Sequence, residues 1–197
     1  MGERVIAFPK VSKPPRYTVL AVATSTGASG SFEELAMPLF AQLYNLAYWL
    51  TRDRSAAEDL VQETFMKALR GFSSFKQGSN FRAWMHRILR NTYLTSQAGL
   101  KDAVSLDDDN PSPEPATVET PESILLVSCE QRAIESALQS LPVPYREVIL
   151  LCDAEEMSYQ EISGALAIPL GTVMSRLSRA RRAMRALLSK TSQEVER

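Results

Sequence analysis

The chain has 197 residues, with 22 Lys+Arg against 23 Asp+Glu, one His and two Cys. Two cysteines are too few for a disulfide-stapled secreted scaffold, and with one histidine they cannot fill a four-ligand Cys/His zinc site. No apolar run approaches the roughly 20 residues that cross a bilayer, so no membrane insertion is expected.

Residues 1–30 lack helical periodicity and carry Pro9, Pro14 and Pro15. Lys10, Lys13 and Arg16 precede an apolar stretch over 17–23, but that stretch is short and Thr18 interrupts it. The segment reads as a disordered extension. Helical signals begin at Ser31, where Ser31 and Glu34 have capping-box spacing. Leu35, Leu39, Phe40, Leu43, Tyr44, Ala47 and Leu50 then recur at helical intervals. Pro38 belongs in a first turn, or between a short leading turn and the main helix. Ser55 and Glu58 predict a second capping box, followed by the stripe Ala57, Leu60, Val61, Thr64, Phe65, Ala68 and Leu69. Gly71 should stop that helix. After a polar loop holding Phe72 and Phe75, Asn80 can cap a third helix. Its apolar face is Phe81, Trp84, Met85, Ile88, Leu89 and Thr92, and its other face is Arg82, His86, Arg87, Arg90 and Asn91. These elements predict one small helical domain over 31–97.

Residues 98–121 are acidic and Pro-rich and read as a flexible linker. A helical stretch follows from Pro121, with Ile124, Leu125, Cys129, Ile134, Ala137, Leu138 and Leu141 as its apolar positions, until Pro142 and Pro144 break it. Tyr145 to Leu151 predicts a further short helix. Ser158 and Glu161 form a third capping-box pair, opening a two-turn helix. The turn Ala167-Ile168-Pro169 then leads into a last helix with Val173, Leu177, Ala180, Met184 and Leu187 on one face. Short helix, tight turn and Arg-rich helix make a helix-turn-helix. The expected fold class is therefore all-α: two small helical domains, 31–97 and 122–190, on either side of the acidic linker, with a tail over 191–197.

Net charge is −1, yet the charges are sorted along the chain. Thr64 to Lys101 contains no acid, Asp102 to Glu122 contains no base, and Ile162 to Gln193 again contains no acid. Two basic blocks on amphipathic helices are the pattern of phosphate-backbone contacts. The exposed positions at the start of the last helix are Thr172, Met174, Ser175, Arg176, Ser178 and Arg179. Arg reads guanine bidentately and Ser contacts several bases. Later arginines, among them Arg182, suit phosphates. On the second helix, Asp59, Gln62, Glu63 and Met66 share a polar, acidic face. The residues alone leave that face as either solvated or a docking surface. Phe75 either anchors its loop or stacks on an unpaired base. Chemistry of other kinds has little support. His86 has no acid near it in sequence, and the cysteines sit among apolar residues. No metal, cofactor or catalytic group is expected.

The residues Glu58-Asp-Leu-Val-Gln-Glu-Thr-Phe65, Phe81-Arg-Ala-Trp84 and Arg87-Ile-Leu-Arg-Asn91 resemble the second conserved region of bacterial sigma factors. Leu141-Pro142, Tyr145-Arg-Glu-Val148, Ser158-Tyr-Gln-Glu-Ile162 and the run Pro169 to Arg181 resemble their fourth region. With only an acidic linker between, the chain is similar to the extracytoplasmic-function subfamily. The resemblance implies a cytoplasmic initiation factor, not an enzyme, that binds core RNA polymerase and directs it to promoter DNA. It implies that Asp59, Gln62, Glu63 and Met66 dock on the clamp helices of the largest subunit. The flap of the second-largest subunit would hold the C-terminal region. It assigns the minus-10 element to Phe75, Asn80, Arg82, Arg87, Arg90 and Asn91. It assigns the minus-35 element to Thr172, Ser175, Arg176, Ser178, Arg179 and Arg182. The linker would thread toward the RNA exit channel, and a separate anti-sigma factor would regulate the chain. Two departures stand out: Met174 occupies a position where many relatives carry Lys or Arg, and His86 one that is often aromatic. The alternative reading is a helix-turn-helix regulator that binds duplex DNA without polymerase.

Overall fold

A computed structural model describes residues 31–76, 78–104 and 129–195, with side chains described for 31–76, 78–98 and 132–189. The expected N-terminal extension, most of the acidic linker and the start of the helix from Pro121 lie outside the described residues.

Every described element is a helix or a turn. Helix α1 (Phe32–Ala36) starts at the expected capping box: Ser31 Oγ accepts from the Glu34 amide at 3.3 Å, and Glu34 Oε2 accepts from the Ser31 amide at 3.0 Å. Pro38 sits in a 3-10 turn, Met37–Leu39, that separates α1 from α2 (Phe40–Thr51). There its missing amide leaves no helical hydrogen bond unmade. Helix α3 (Arg54–Gly71) departs from the expected box at Ser55. Asp53 caps it instead, its Oδ1 accepting from the Ala56 amide at 2.7 Å. Ser55 is thus already helical, and Glu58 is free to accept from Arg54 Nε one turn away at 3.1 Å. Ala57, Leu60, Val61, Thr64 and Ala68 are the buried face of α3. Thr64 donates to the Leu60 carbonyl at 2.7 Å, which satisfies its buried hydroxyl. Leu69, expected in the buried stripe, lies on the outer face at 46% exposure.

Helix α4 runs Phe81–Val104, past the expected boundary at 97. Asn80 caps it as expected, Oδ1 accepting from the Ala83 amide at 2.9 Å. Helix α5 is Cys129–Ser140 and α6 is Val143–Ile149. Pro144 does not precede α6 but lies in its first turn, where a proline is tolerated. A π-helical stretch, Leu150–Ala154, follows. The third capping box is present: Ser158 Oγ accepts from the Glu161 amide at 3.3 Å, and Glu161 Oε2 accepts from the Ser158 amide at 2.8 Å, opening α7 (Tyr159–Leu166). Ala167 ends α7 in the left-handed region, φ 52°. Helix α8 is Leu170–Val195, with Val173, Leu177, Ala180 and Met184 fully buried as the periodicity predicts.

Helices α2, α3 and α4 pack as one bundle, and α5 to α8 as another. The two are not held apart. Helix α4 lies along α7, and the buried residues of both halves form one continuous cluster. Arg146 ties the second bundle internally and to the first. Its guanidinium donates to the carbonyls of Leu138 (3.0 Å), Gln139 (2.8 Å), Leu141 (3.0 Å) and, on α2, Trp49 (3.1 Å). Burial lowers its pKa to about 10, so it remains charged at neutral pH. Arg146→Leu would leave four carbonyls without that donor. Urea unfolding followed by far-UV circular dichroism should show a loss of about 3 kcal/mol or more. Arg146→Lys should recover little of it, because an ammonium cannot reproduce the planar fork.

Candidate functional site

Helix α8 presents an outward stripe. Ser175, Ser178, Arg179 and Arg182 are exposed on it, with Met174 at 53% exposure beside them. Thr172 and Arg176 lie at its edge, half-buried. The buried series at 173, 177, 180 and 184 turns the opposite face to the core, so the stripe is rigid and open to a groove. Arg181 is not on it. Its guanidinium pairs with Asp153, Nη2 to Oδ1 at 2.6 Å, which raises the arginine's pKa further. Neighbouring Cys152 is pushed up to about 11 by burial and then by Asp153, leaving an unreactive thiol.

Helix α3 presents a second open face. Asp59, Gln62, Glu63 and Met66 are all exposed, Met66 at 47%. Leu69 extends this face with a second bare apolar side chain. Two apolar side chains within an acidic rim have the make-up of a protein-docking surface.

The third group of candidates is placed differently. Asn80 Nδ2 donates to Glu161 Oε1 at 2.9 Å. Arg82 donates to Gln42 Oε1 at 2.9 Å and to the Glu155 carbonyl, with the Glu155 carboxylate 4.0 Å away. Arg87 Nε donates to the Gly164 carbonyl at 2.8 Å. Arg90 Nε donates to Glu147 Oε1 at 2.9 Å. All four meet groups of the C-terminal bundle, whereas Asn91 is exposed and has no such partner among the described residues. Phe75 packs in an aromatic cluster, stacked on Phe72 (6.2 Å between centroids) and close to Trp84 (5.0 Å). It is half-buried, which anchors the loop.

His86 is not on an exposed basic face as expected. It is 1% exposed, because α7 covers the side of α4 that α2 and α3 leave open. Its Nδ1 faces the Arg82 carbonyl at 2.9 Å, and its Nε2 has no partner. Burial, with the Arg82 charge, lowers its pKa to about 4. It is neutral at pH 7. Among the described residues no cluster of His, Cys, Asp and Glu could hold a metal ion. No described helix is long and apolar enough to cross a membrane. Sequence reasoning missed Glu147 and Glu155 as partners of Arg90 and Arg82, and Glu161 as the partner of Asn80. The one available signal was an acid, Glu147, directly before the apolar run Val148–Leu151.

Residues 35–98 match sigma-70 region 2, and residues 131–184 match sigma-70 region 4. The chain is 37% identical over 183 residues to the ECF RNA polymerase sigma factor SigE of Mycolicibacterium smegmatis, covering 90% of this chain and 70% of that one. The chain belongs to the sigma-70 family, in its extracytoplasmic-function branch. A second relative, the ECF RNA polymerase sigma-E factor of Haemophilus influenzae, is 37% identical over 142 residues, covering 67% of this chain and 75% of that protein. Among solved structures, the sigma factor RpoE of Bartonella quintana, in complex with the anti-sigma factor NepR, superposes with a TM-score of 0.62 at 30% identity. That match covers 80% of this chain and 96% of the other. CnrH, solved with the cytosolic domain of CnrY, shares the fold at a TM-score of 0.60 and 24% identity, over 81% of this chain and 88% of that one. This sigma factor is therefore a transcription initiation factor that directs RNA polymerase to promoters, and not an enzyme. The reading as a regulator acting without polymerase gives way to it.

The buried His86 makes a pH prediction. A histidine with a depressed folded-state pKa contributes stability that is present above its unfolded value and lost as pH falls through about 4. Between pH 7 and pH 5 it should remove about 2 kcal/mol of unfolding free energy. Denaturant titrations of the wild type and His86→Leu at both pH values check this. The variant should lose that part of the pH dependence.

Proposed function

We propose that this sigma factor divides promoter recognition between its two halves. The outward face of α3, with Asp59, Gln62, Glu63 and Met66, docks on the clamp helices of the largest polymerase subunit. The flap of the second-largest subunit holds the C-terminal half. The stripe on α8, with Ser175, Ser178, Arg179 and Arg182 at its centre and Thr172 and Arg176 at its edge, reads the minus-35 element in the major groove. Phe75, Asn80, Arg82, Arg87, Arg90 and Asn91 hold the unpaired strand of the minus-10 element. In this reading the expected domains, 31–97 and 122–190, stand on either side of the acidic run, with α4 carrying the first as far as Val104 and α8 carrying the second through the expected tail to Val195. The work is done in the cytoplasm, under a separate anti-sigma factor of the kind with which the Bartonella relative was solved.

The observation that carries this reading is the acid-free, exposed stripe of α8 directly after the α7 turn. The test is a pulldown of the purified chain with bacterial core RNA polymerase, followed by run-off transcription from genomic fragments. Stoichiometric binding with new start sites is expected. Glu63→Arg should abolish the pulldown and leave the fold intact. The pair that Glu63 makes with Lys67 at 2.7 Å is exposed, and its loss costs only about 0.5 kcal/mol. Normal binding by the variant would remove that face from the proposal. Arg179→Ala should weaken binding at the selected promoter by about 1–3 kcal/mol. An equal loss on unrelated DNA would make Arg179 a phosphate contact.

A further inference from the structure

The α8 stripe is not uniformly polar. Leu170, the first residue of the helix, and Met174, one turn on, are 43% and 53% exposed. Met174 is the most exposed large apolar side chain among the described residues. Neither belongs to the buried cluster, to which α8 contributes Val173, Leu177, Ala180 and Met184. Helical spacing puts Met174 at one edge of the stripe, across from Thr172 and Arg176 at the other. A helical side chain leans toward the N-terminus of its helix, so Met174 lies over the turn that holds Leu170 and Gly171. Gly171 leaves that turn uncovered: even a Cβ built there would meet no atom within 4 Å. Ser175, next to Met174, turns its hydroxyl back and donates to the Thr172 carbonyl at 3.1 Å. The leading edge of the stripe is therefore apolar.

In a helix-turn-helix the leading end of the second helix is the part that reaches base edges. A thioether carries no charge for a phosphate and no proton to donate. The major groove presents donors, acceptors and one apolar group, the C5-methyl of thymine. Dehydrating Met174 against that methyl is favourable. Against any other base edge it strips water from a donor or acceptor and gives no hydrogen bond in return. We propose that Met174, flanked by Leu170, selects thymine within the minus-35 element by contact with its C5-methyl group. The proposal rests on the assignment of the α8 stripe to that element. It divides the reading in two: Arg179 reads by hydrogen bonds, and Met174 reads by shape and dehydration. An uncharged side chain releases no counterions, so this contribution is to specificity and is independent of salt.

The test removes the methyl group and nothing else. Each thymine of the minus-35 element, on either strand of a promoter found by run-off transcription, is replaced in turn by deoxyuridine. That base keeps every hydrogen-bonding group. The wild-type chain bound to core polymerase should lose about fourfold in promoter affinity at one position or two adjacent ones, the worth of one buried methyl group. The loss should be equal at low and high salt. Met174→Ala should bind core polymerase as the wild type does, and should no longer distinguish thymine from deoxyuridine at that position. Met174→Leu, close in volume, should keep most of the distinction. Both changes fall at an exposed helical position, and circular dichroism checks the fold. A deoxyuridine series that costs the wild type nothing overturns the proposal, as does an element made of G·C pairs alone. So does a distinction that Met174→Ala retains. A folded Met174→Ala chain that fails to bind core polymerase would give the apolar edge to a protein partner, and overturns it too. Arg179→Ala on the same templates separates the two readings. If it weakens binding and deoxyuridine does not, the Met174 proposal alone falls. If neither has an effect, α8 does not lie on the element and its assignment falls as well.

Discussion

Arg90 donates to Glu147 at 2.9 Å across the seam between the two helical bundles, with the glutamate almost wholly out of water. Taking a carboxylate out of water costs several kcal/mol, and one well-aligned arginine offsets part of that. The remainder shows in the raised pKa of Glu147, which burial sets against the pull of Arg90. The pair forms only if α4 lies close along α7, and that approach is possible because Ala83 faces Gly164. From this follow the burial of His86, the engagement of Arg82 and Arg87, and the exposure of the α3 and α8 faces on the sides that the seam does not use.

The segregation of charge acquires a meaning in this arrangement. A basic block on α4 and another on α8 could have repelled each other. The fold avoids this by turning exposed α8 arginines outward and meeting the α4 arginines with Glu147 of α6, Glu155 of the loop before α7 and the Gly164 carbonyl of α7. The near-neutral chain is thus a strongly patterned surface. Acids rim the exposed face of α3 and meet Arg82 and Arg90 at the seam, and exposed bases line α8.

Much of the fold was legible beforehand, for identifiable reasons. Capping boxes at Ser31 and Ser158 are local chemistry, and so is the Asn80 cap. Each depends on residues three apart, and each is present. The buried series of α8 follows from its 3.6-residue period. The errors also have physical causes. Ser55 and Asp53 both offer a cap, and only the direction from which α2 delivers the chain, through the left-handed Arg52, selects Asp53. Leu69 fits an apolar stripe drawn on α3 alone, but it stays 46% exposed among the described residues. Phe75 could face a base or its own helices, and the cluster of Phe72, Phe81 and Trp84 decided it.

The sequence by itself determined the helices, the turn between α7 and α8, the outward stripe of α8 and the acidic face of α3. All of these depend on residues within a few turns of each other. Only the tertiary structure decided that His86 is buried and neutral, and that Asn80, Arg82, Arg87 and Arg90 meet Glu161, Glu155, Gly164 and Glu147. Those partners are separated by 57 to 81 positions in the chain. Periodicity shows that α4 has a polar face. It cannot show whether water, DNA or another part of the same chain lies against it, because all three satisfy the same hydrogen-bonding groups.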